Sequence, residues 1–350
     1  MTEQEILHAL SHVDDPDLRK DIVTLNMVKN VKVDGNKVSF DVELTTPACP
    51  MKEAIKNACI QAVRHMVSKE AEVEINMTSR VTTQRSDNAV LPNVKNIIAI
   101  ASGKGGVGKS TVSLNLAWAL KESGAKVGLL DADIHGPSIP GMIGIKVLDE
   151  QEGALTPVQV DGLKVLSIGF MVDERQPIVW RGPMVASALK QLLSDANWGE
   201  LDYLIIDLPP GTGDTHLSLV QHVQLSGVIM VTTPQKVAMA DCRKAMGMFI
   251  MPQINVPVLG IVENMAWFTP KELPENKYFL FGQGGGQTLS DEFKVPLLAQ
   301  IPIYQSIMQQ AESSVAGHQN IDEEAWKYYK LLAGEVARQM AIKNASASLN

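Results

Sequence analysis

Residues 97–111 read Ile-Ile-Ala-Ile-Ala-Ser-Gly-Lys-Gly-Gly-Val-Gly-Lys-Ser-Thr and are the most informative segment for the fold. Its first five residues are an unbroken apolar run, which predicts a buried strand. The eight residues after Ser102 match G-x-x-x-x-G-K-[ST], the phosphate-binding loop that joins a strand to a helix. A helix is predicted to begin at Ser110, so the loop has the flanks that it requires. The stretch therefore predicts an α/β domain with a phosphate site.

Each residue type in this loop has a physical purpose. Glycines let consecutive backbone N–H groups turn toward an anion, and the helix start adds partial positive charge. Lys109 is expected on the β- and γ-phosphates, Ser110 on Mg²⁺ and Thr111 on the α-phosphate. The alternative is a glycine-rich turn that binds nothing. The predicted nucleotide-binding residues of the loop are Gly103, Lys104, Gly105, Gly106, Val107, Gly108, Lys109, Ser110 and Thr111.

Acidic residues follow two of the predicted strands. Asp207 closes the apolar run 203–206, at the carboxyl edge where an open α/β sheet binds its ligand, and is predicted to hold Mg²⁺ through water. Asp131 and Asp133 close the run 127–130 in the same way. Asp133 is expected to reach an attacking water, with Asp131 supporting it. The alternatives are solvated strand-end carboxylates or a helix cap.

Outward from the loop, short apolar runs alternate with helix-length segments. Strands are predicted at residues 97–101, 127–130, 165–168, 203–206, 228–231, 258–262 and 297–299. Helices are predicted at residues 110–123, 185–196, 214–224, 236–250 and 323–342. This alternation is typical of a parallel sheet covered on both faces. The predicted fold class is α/β, a P-loop NTPase with a mostly parallel doubly wound sheet, preceded by a small α+β domain.

The first 81 residues follow another pattern and predict that small domain. A hairpin turn, Asp34-Gly35-Asn36, lies between two alternating segments. Strands are predicted at 27–33, 37–44 and 73–77, and helices at 3–12 and 51–68. Residues 82–93 are polar and non-periodic, which indicates a linker. The predicted divisions are residues 1–81, the linker 82–93, an ATPase domain over 94–343 and a flexible tail over 344–350.

Composition narrows the classes of protein. A chain of 350 residues that is 45% hydrophobic and 20% charged is expected to fold as two compact units. Its apolar runs are far shorter than the roughly 18–20 residues of a membrane span. The N-terminus lacks the pattern of a secretory signal, so a cytoplasmic location without a membrane partner is expected. The net charge of −8 disfavours a nucleic-acid partner.

Five motifs together resemble those of the Mrp/ApbC iron–sulfur carrier ATPases, a group related to MinD, ParA and the nitrogenase iron protein. They are K-G-G-V-G-K-S at 104–110, D-A-D-I-H-G-P-S at 131–138, W-R-G-P-M at 180–184, D-L-P-P-G-T-G-D at 207–214 and V-E-N-M at 262–265. The resemblance implies a homodimeric ATPase in which Lys104 reaches the partner's nucleotide. Catalytic roles then fall to Lys104, Lys109 and Asp133. The resemblance assigns Asp133 to a first switch and residues 207–213 to a second. It also implies that Asn264 and the segment Ile301-Pro302 contact adenine.

The first 80 residues resemble a small domain shared with PaaD and SufT, proteins linked to iron–sulfur assembly. The resemblance rests on Asp15-Pro16-Asp17-Leu18 and on Thr45-Thr46-Pro47-Ala48-Cys49-Pro50. Cys49 precedes a predicted helix, whose N-terminus favours the thiolate that binds iron. Cys49 is therefore a possible iron–sulfur ligand, and a half-buried thiol without function is the alternative. Cys59 and Cys242 are expected to be packed thiols.

The chain departs from the family at one place. Many Mrp/ApbC members carry a Cys-x-x-Cys after the E-N-M segment that bridges a four-iron cluster between two chains. Residues 266–278 of this chain contain no cysteine. A cluster, implied by resemblance to be of the 4Fe-4S type, would therefore need Cys49 from two chains or from a partner protein.

Three functions compete. The leading hypothesis is an ATP-binding and ATP-hydrolysing iron–sulfur cluster carrier that works with apo client proteins and cluster scaffold proteins. The alternative is a MinD- or ParA-like regulator on a membrane or DNA, but the weakly polar end over 341–350 does not suit a membrane surface. A scaffold with an inactive site is the third, and the complete set of phosphate-site residues disfavours it.

Overall fold

The computed structural model describes residues 1–85, 90–134, 136–145, 155–170, 182–213, 216, 219, 222–313 and 317–347. They divide into two units: Met1–Thr83 together with Ala337–Asn350, and Gln84–Val336. Some predicted features fall wholly or partly outside this range: Trp180-Arg181, His135, Asp214, much of the predicted helix 214–224, part of the predicted linker 82–93 and the end of the predicted tail 344–350.

The first unit contains the predicted hairpin and both predicted helices. Its elements are α1 (Glu3–Leu10), β1 (Asp14–Asp15), β2 (Lys20–Asp21), β3 (Val28–Asp34), β4 (Lys37–Leu44), α2 (Lys52–Met66) and β5 (Glu72–Ser79). The strands β3 and β4 are antiparallel, and β5 returns through α2 to pair with β4 in parallel. Alternate residues of β4 are buried in a core that also contains Ile6 and Cys59. The α+β prediction for this region is confirmed.

The start of α1 is set by local chemistry. The Thr2 side chain accepts a hydrogen bond from the Glu5 backbone, and the Glu5 side chain accepts one from the Thr2 backbone. This reciprocal pair satisfies two backbone donors that a helix start would otherwise leave open.

The second unit is built on a sheet that contains eight strands in the described part of the chain. They are β6 (Val94–Ala101), β7 (Val127–Asp131), β8 (Val158–Val160), β9 (Leu163–Ser167), β10 (Leu201–Asp207), β11 (Gly227–Thr232), β12 (Val258–Phe268) and β13 (Leu297–Ile303). Their order is β13-β12-β11-β6-β10-β7-β9-β8, and β8 alone among them pairs antiparallel. Each of the seven predicted strands is present. Strand β8 has only three residues, too few to give a pattern of its own.

Helices connect and flank these strands. They are α3 (Lys109–Glu122), α4 (Ile139–Ile143), α5 (Gly182–Lys190), α6 (Lys236–Ile250), α7 (Gly285–Phe293), α8 (Gln305–Glu312) and α9 (Glu323–Ala347). A π-helical turn, Gln191–Asp195, continues α5. The short helices α4, α7 and α8 were not predicted.

The C-terminal helix differs from its prediction. Helix α9 continues to Ala347, into the segment expected to be a flexible tail. Asn344 is buried there, and its amide donates to the Thr82 carbonyl oxygen at 2.8 Å. The buried contact explains why a weakly polar sequence stays helical, because packing outweighs local propensity.

The register of the central strands determines where the phosphate-binding loop and the acidic strand ends lie. Asp207 is paired with Asp131 on one side and with Ile100 on the other. Strands β6, β7 and β10 therefore end at the same level, with the phosphate-binding loop leaving β6 beside the two acidic strand ends.

Candidate nucleotide-binding site

The loop between β6 and α3 needs glycine at two positions for different reasons. Gly108 has a φ of +78°, and a Cβ on it would lie 2.2 Å from the Asn264 amide nitrogen. A Cβ on Gly103 would lie 2.1 Å from the Asp241 carbonyl carbon. Backbone conformation and close packing together exclude larger residues here.

Asn264 ties this loop to the sheet. Asn264 lies on β12 and is buried. Its amide donates to the Val107 carbonyl oxygen at 2.9 Å. The described contact is thus with the backbone of the loop, and contact with adenine stays a prediction.

Asp207 is fully buried and collects three side chains. The Ser110 hydroxyl donates to its Oδ2 at 2.6 Å, and the Ser113 hydroxyl lies 2.6 Å from its Oδ1. The Lys109 ammonium lies 2.9 Å from the same Oδ1. The three residues assigned to Mg²⁺ and to the phosphates, Lys109, Ser110 and Asp207, are therefore together.

The second acidic strand end, Asp131, holds the segment that follows β7. Asp131 accepts hydrogen bonds from the Asp133 backbone at 3.1 Å, the Ile139 backbone at 3.3 Å and the Ser167 hydroxyl at 3.0 Å. Burial, together with the negative charge of Asp207, raises the pKa of Asp131 to about 8. The Asp133 carboxylate lies 3.8 Å from the Lys109 ammonium. Asp131 thus holds the backbone that carries Asp133. The support that Asp131 is expected to give Asp133 toward an attacking water stays a prediction.

The remaining predicted residues line the loop. Lys104 is half-buried, and its carbonyl oxygen accepts from the Ser102 hydroxyl at 3.0 Å. Gly105 and Gly106 are exposed, and Thr111 is half-buried at the start of α3. The role of Lys104 toward a partner chain stays a prediction.

The donor set fits Mg²⁺ and a nucleotide. A hydroxyl and a carboxylate oxygen 2.6 Å apart are the hard oxygen donors that Mg²⁺ prefers. The ammonium of Lys109 and the glycine-built loop suit phosphate. Ser110 and Asp207 would hold the ion, and the loop backbone would hold the phosphates.

Two residues of the site were missed from the sequence, Ser113 and Ser167. A signal existed for Ser113, which lies four residues after Lys109 and so on the same face of α3. For Ser167 the pairing of β7 with β9 was needed, which brings it beside Asp131.

Cys49 lies in the first unit and corrects one expectation. The backbone N–H groups of Met51 and Lys52 favour its thiolate, as a helix start should. Burial, with a smaller contribution from the carboxylates of Asp17 and Asp15, outweighs them and raises the pKa of the thiol. The start of α2 therefore does not lower the pKa of Cys49 below that of an ordinary thiol.

The other two cysteines are packed thiols, as predicted. Cys59 and Cys242 are buried, and burial raises the pKa of each to about 12. Within the described ranges, no group of three or more His, Cys, Asp or Glu side chains is arranged to hold a metal ion. No helix in those ranges is long and apolar enough to cross a membrane.

Comparison with known proteins gives two family matches. A family model described as NUBPL iron-transfer P-loop NTPase matches residues 93–337. A second model, described as iron-sulfur cluster assembly protein, matches residues 3–76.

Individual relatives agree with these matches. An iron-sulfur cluster carrier protein of Synechocystis is 49% identical, over 87% of this chain and 87% of its own. A solved nucleotide-binding protein of Archaeoglobus fulgidus in complex with ADP is 38% identical, with a TM-score of 0.57 over 68% of this chain and 93% of that one. The complex of Cyanothece McdA with ATP is 14% identical, with a TM-score of 0.51 over 69% of this chain and 95% of that one. This last likeness is one of fold alone.

Proposed function

Because the chain belongs to the family of NUBPL-type iron-transfer P-loop NTPases, we propose that it binds and hydrolyses ATP and carries iron–sulfur clusters to apoproteins. The proposal covers a homodimer that acts in the cytoplasm, receives clusters from scaffold proteins and delivers them to client proteins. The name of the Synechocystis relative supports the carrier function. The fold is shared with regulators of the MinD and ParA type, so the fold alone does not separate the two classes. The family assignment favours the carrier.

The proposed ATPase activity rests on one observation: the side chains of Lys109 and Ser110 both contact the Asp207 carboxylate. Lys109 is 6% exposed and Asp207 is fully buried, so their charges act where water screens little. With a bound nucleotide, Lys109 would turn from Asp207 to the phosphates. Bound Mg²⁺ would neutralise charge on the β- and γ-phosphates. Asp133 would orient the attacking water.

Lys109→Ala tests this half. Removing the ammonium is expected to lower ATP turnover by about a hundredfold or more, since charge stabilisation dominates phosphoryl transfer. Lys121→Ala, on the same helix but toward its end, is the matched control and should keep wild-type turnover. Unchanged turnover in Lys109→Ala would remove the assignment of the site.

The iron–sulfur half depends on Cys49. Among the three cysteines it is the one that is not fully buried, and it lies in the unit that matches the iron-sulfur cluster assembly model. A single cysteine cannot hold a four-iron cluster, so we propose that the second ligand set comes from another chain. The dimer in which Lys104 reaches across to the partner's nucleotide would bring two chains together.

Anaerobic reconstitution tests this half. The protein is treated with iron and sulfide, and iron and acid-labile sulfide are measured per dimer beside the absorption spectrum. Cys49→Ala should lose the chromophore and client activation, whereas Cys242→Ala should retain them. Wild-type protein without a chromophore, or Cys49→Ala with one, would refute the carrier function through Cys49.

The domain division stays part of the proposal. The matches at 3–76 and 93–337 support a small N-terminal domain over 1–81, a linker over 82–93 and an ATPase domain from residue 94.

A further inference from the structure

Ser113 is a buried hydroxyl that the proposed reaction does not yet use. It lies on α3 one turn after Lys109 and is fully buried. Its Oγ is 2.6 Å from Asp207 Oδ1 and 3.0 Å from the Lys109 carbonyl oxygen.

The hydroxyl has one proton and two acceptors within reach. A serine inside a helix ordinarily donates to the carbonyl oxygen four residues earlier. A carboxylate oxygen is the stronger acceptor, and here it is also the closer one. The Ser113 proton therefore belongs to Asp207.

The two oxygens of Asp207 are held differently. Oδ2 accepts from Ser110, the hydroxyl expected on Mg²⁺. Oδ1 is approached by both Ser113 and the Lys109 ammonium. The Lys109 side chain is long and has several rotatable bonds, whereas the short Ser113 side chain is buried and can change position little. When phosphate draws Lys109 away, Ser113 is the donor that stays on Oδ1.

We propose that Ser113 is a positioning residue for the metal site. Its hydroxyl keeps Oδ1 of Asp207 fixed after Lys109 has moved to the phosphates, so that Oδ2 stays directed toward Ser110 and the ion. The inference rests on the proposed ATP function and deepens it.

The test measures binding rather than turnover. A fluorescent non-hydrolysable ATP analogue is titrated into wild type and variants, once in EDTA and once in saturating Mg²⁺. The ratio of the two dissociation constants gives the gain in affinity from Mg²⁺. Ser113→Ala should lose about tenfold of that gain while its dissociation constant in EDTA stays at the wild-type value, because a hydrogen bond to a charged group is lost.

Two variants complete the design. Ser113→Thr keeps the hydroxyl and should restore most of the Mg²⁺ gain. Ser123→Ala removes a hydroxyl that donates to the Leu120 carbonyl oxygen at the end of the same helix, and should behave as wild type. The same Mg²⁺ requirement should appear as a raised half-saturating Mg²⁺ concentration for hydrolysis, with turnover recovered in excess Mg²⁺.

The outcomes are separable. Wild-type protein that does not bind the analogue contradicts the proposed function itself. Wild-type binding with an unaltered Mg²⁺ gain in Ser113→Ala overturns the role of Ser113. A larger dissociation constant of Ser113→Ala in EDTA would also overturn the role, because it would mean that Ser113 shapes the loop rather than the metal site. If Ser113→Ala does not fold, the gain measured on Ser113→Cys, whose thiol is a weak donor, should fall between the values for Ser113→Thr and full loss; a wild-type gain would overturn the role.

Discussion

Two requirements can impose glycine in the phosphate-binding loop: a left-handed backbone conformation and a lack of space for a side chain. Gly106 and Gly108 allow the two requirements to be told apart. Both have a φ of +78°. Nothing lies within 4 Å of a Cβ built on Gly106, whereas a Cβ on Gly108 meets the Asn264 amide. The pair therefore offers one backbone conformation with and without a steric neighbour.

Gly108→Ala is expected to destabilise the nucleotide-free protein by about 2 kcal/mol, and Gly106→Ala by about 1 kcal/mol. The left-handed backbone conformation accounts for about 1 kcal/mol in each. The further loss at Gly108 comes from the bond of Asn264 to Val107, which the methyl group would displace. Urea unfolding without nucleotide measures both. Equal losses would mean that Asn264 yields without cost.

His216 is expected to make stability depend on pH. It is buried beside Phe249, with ring centroids 6.1 Å apart, and burial lowers its pKa. A histidine with a lowered pKa in the fold stays neutral there while the unfolded chain takes up a proton near pH 6.5. Its contribution is therefore complete above about pH 6.5 and is lost as the pH falls through the lowered pKa.

The His216→Gln variant isolates this contribution. Unfolding free energies at pH 7.5 and pH 5.5 should differ less in the variant than in wild type. Equal differences would show that another group causes any sensitivity to acid.

At the scale of elements, Glu263 joins three parts of the second unit. It lies on β12 and is 1% exposed. It accepts from the Gly286 backbone at the start of α7, and from the Gln300 amide on β13 at 2.7 Å. Since Asn264 is the next residue, the position of β12 that Glu263 secures is also the one that reaches the phosphate loop.

Glu263→Ala is expected to cost about 3 kcal/mol in unfolding free energy, because it leaves the buried Gly286 N–H and the half-buried Gln300 amide without their acceptor. Glu263→Gln should cost about 1 kcal/mol, since its amide oxygen still accepts from Gly286 and the Gln300 amide can turn to accept from the new amide group. Chemical denaturation of both variants gives the comparison. Similar losses would place the effect in packing instead.

At the scale of the whole molecule, the first unit combines residues 1–83 with the last turns of α9, which are far apart along the chain. Arg338 on α9 forms an ion pair with Asp17. The Asp17 side chain is 13% exposed and the Arg338 side chain 35% exposed, so solvent weakens the pair without removing it. Within the first unit, the ion pair therefore joins the last turns of α9 to the segment after β1.

A double-mutant cycle of Asp17→Ala and Arg338→Ala should give a coupling of about 1 kcal/mol. The exposed pair of Lys37 and Glu72 belongs to the same unit and serves as the control, with no measurable coupling expected. Thermal or urea unfolding of the intact chain supplies the values. A coupling no larger than that of the control would mean that the ion pair does not hold α9.

Local pattern alone predicted much of the fold. Unbroken apolar runs mark strands buried on both faces, so every predicted strand of the large sheet was found. Short elements such as β8 and α4 escaped, because three to five residues give no periodicity. The end of α9 escaped as well, because its helix depends on buried contacts such as that of Asn344.

The phosphate loop, the acidic strand ends and the family could be identified from the sequence, because a loop of fixed spacing between a strand and a helix carries its chemistry in consecutive residues. The three-dimensional packing, by contrast, brings together side chains that are far apart along the chain. It placed Ser113 on Asp207 and Ser167 on Asp131, and it raised the pKa of Cys49 where the helix start alone would lower it. Burial and charge depend on neighbours from distant parts of the chain, and no local pattern contains them.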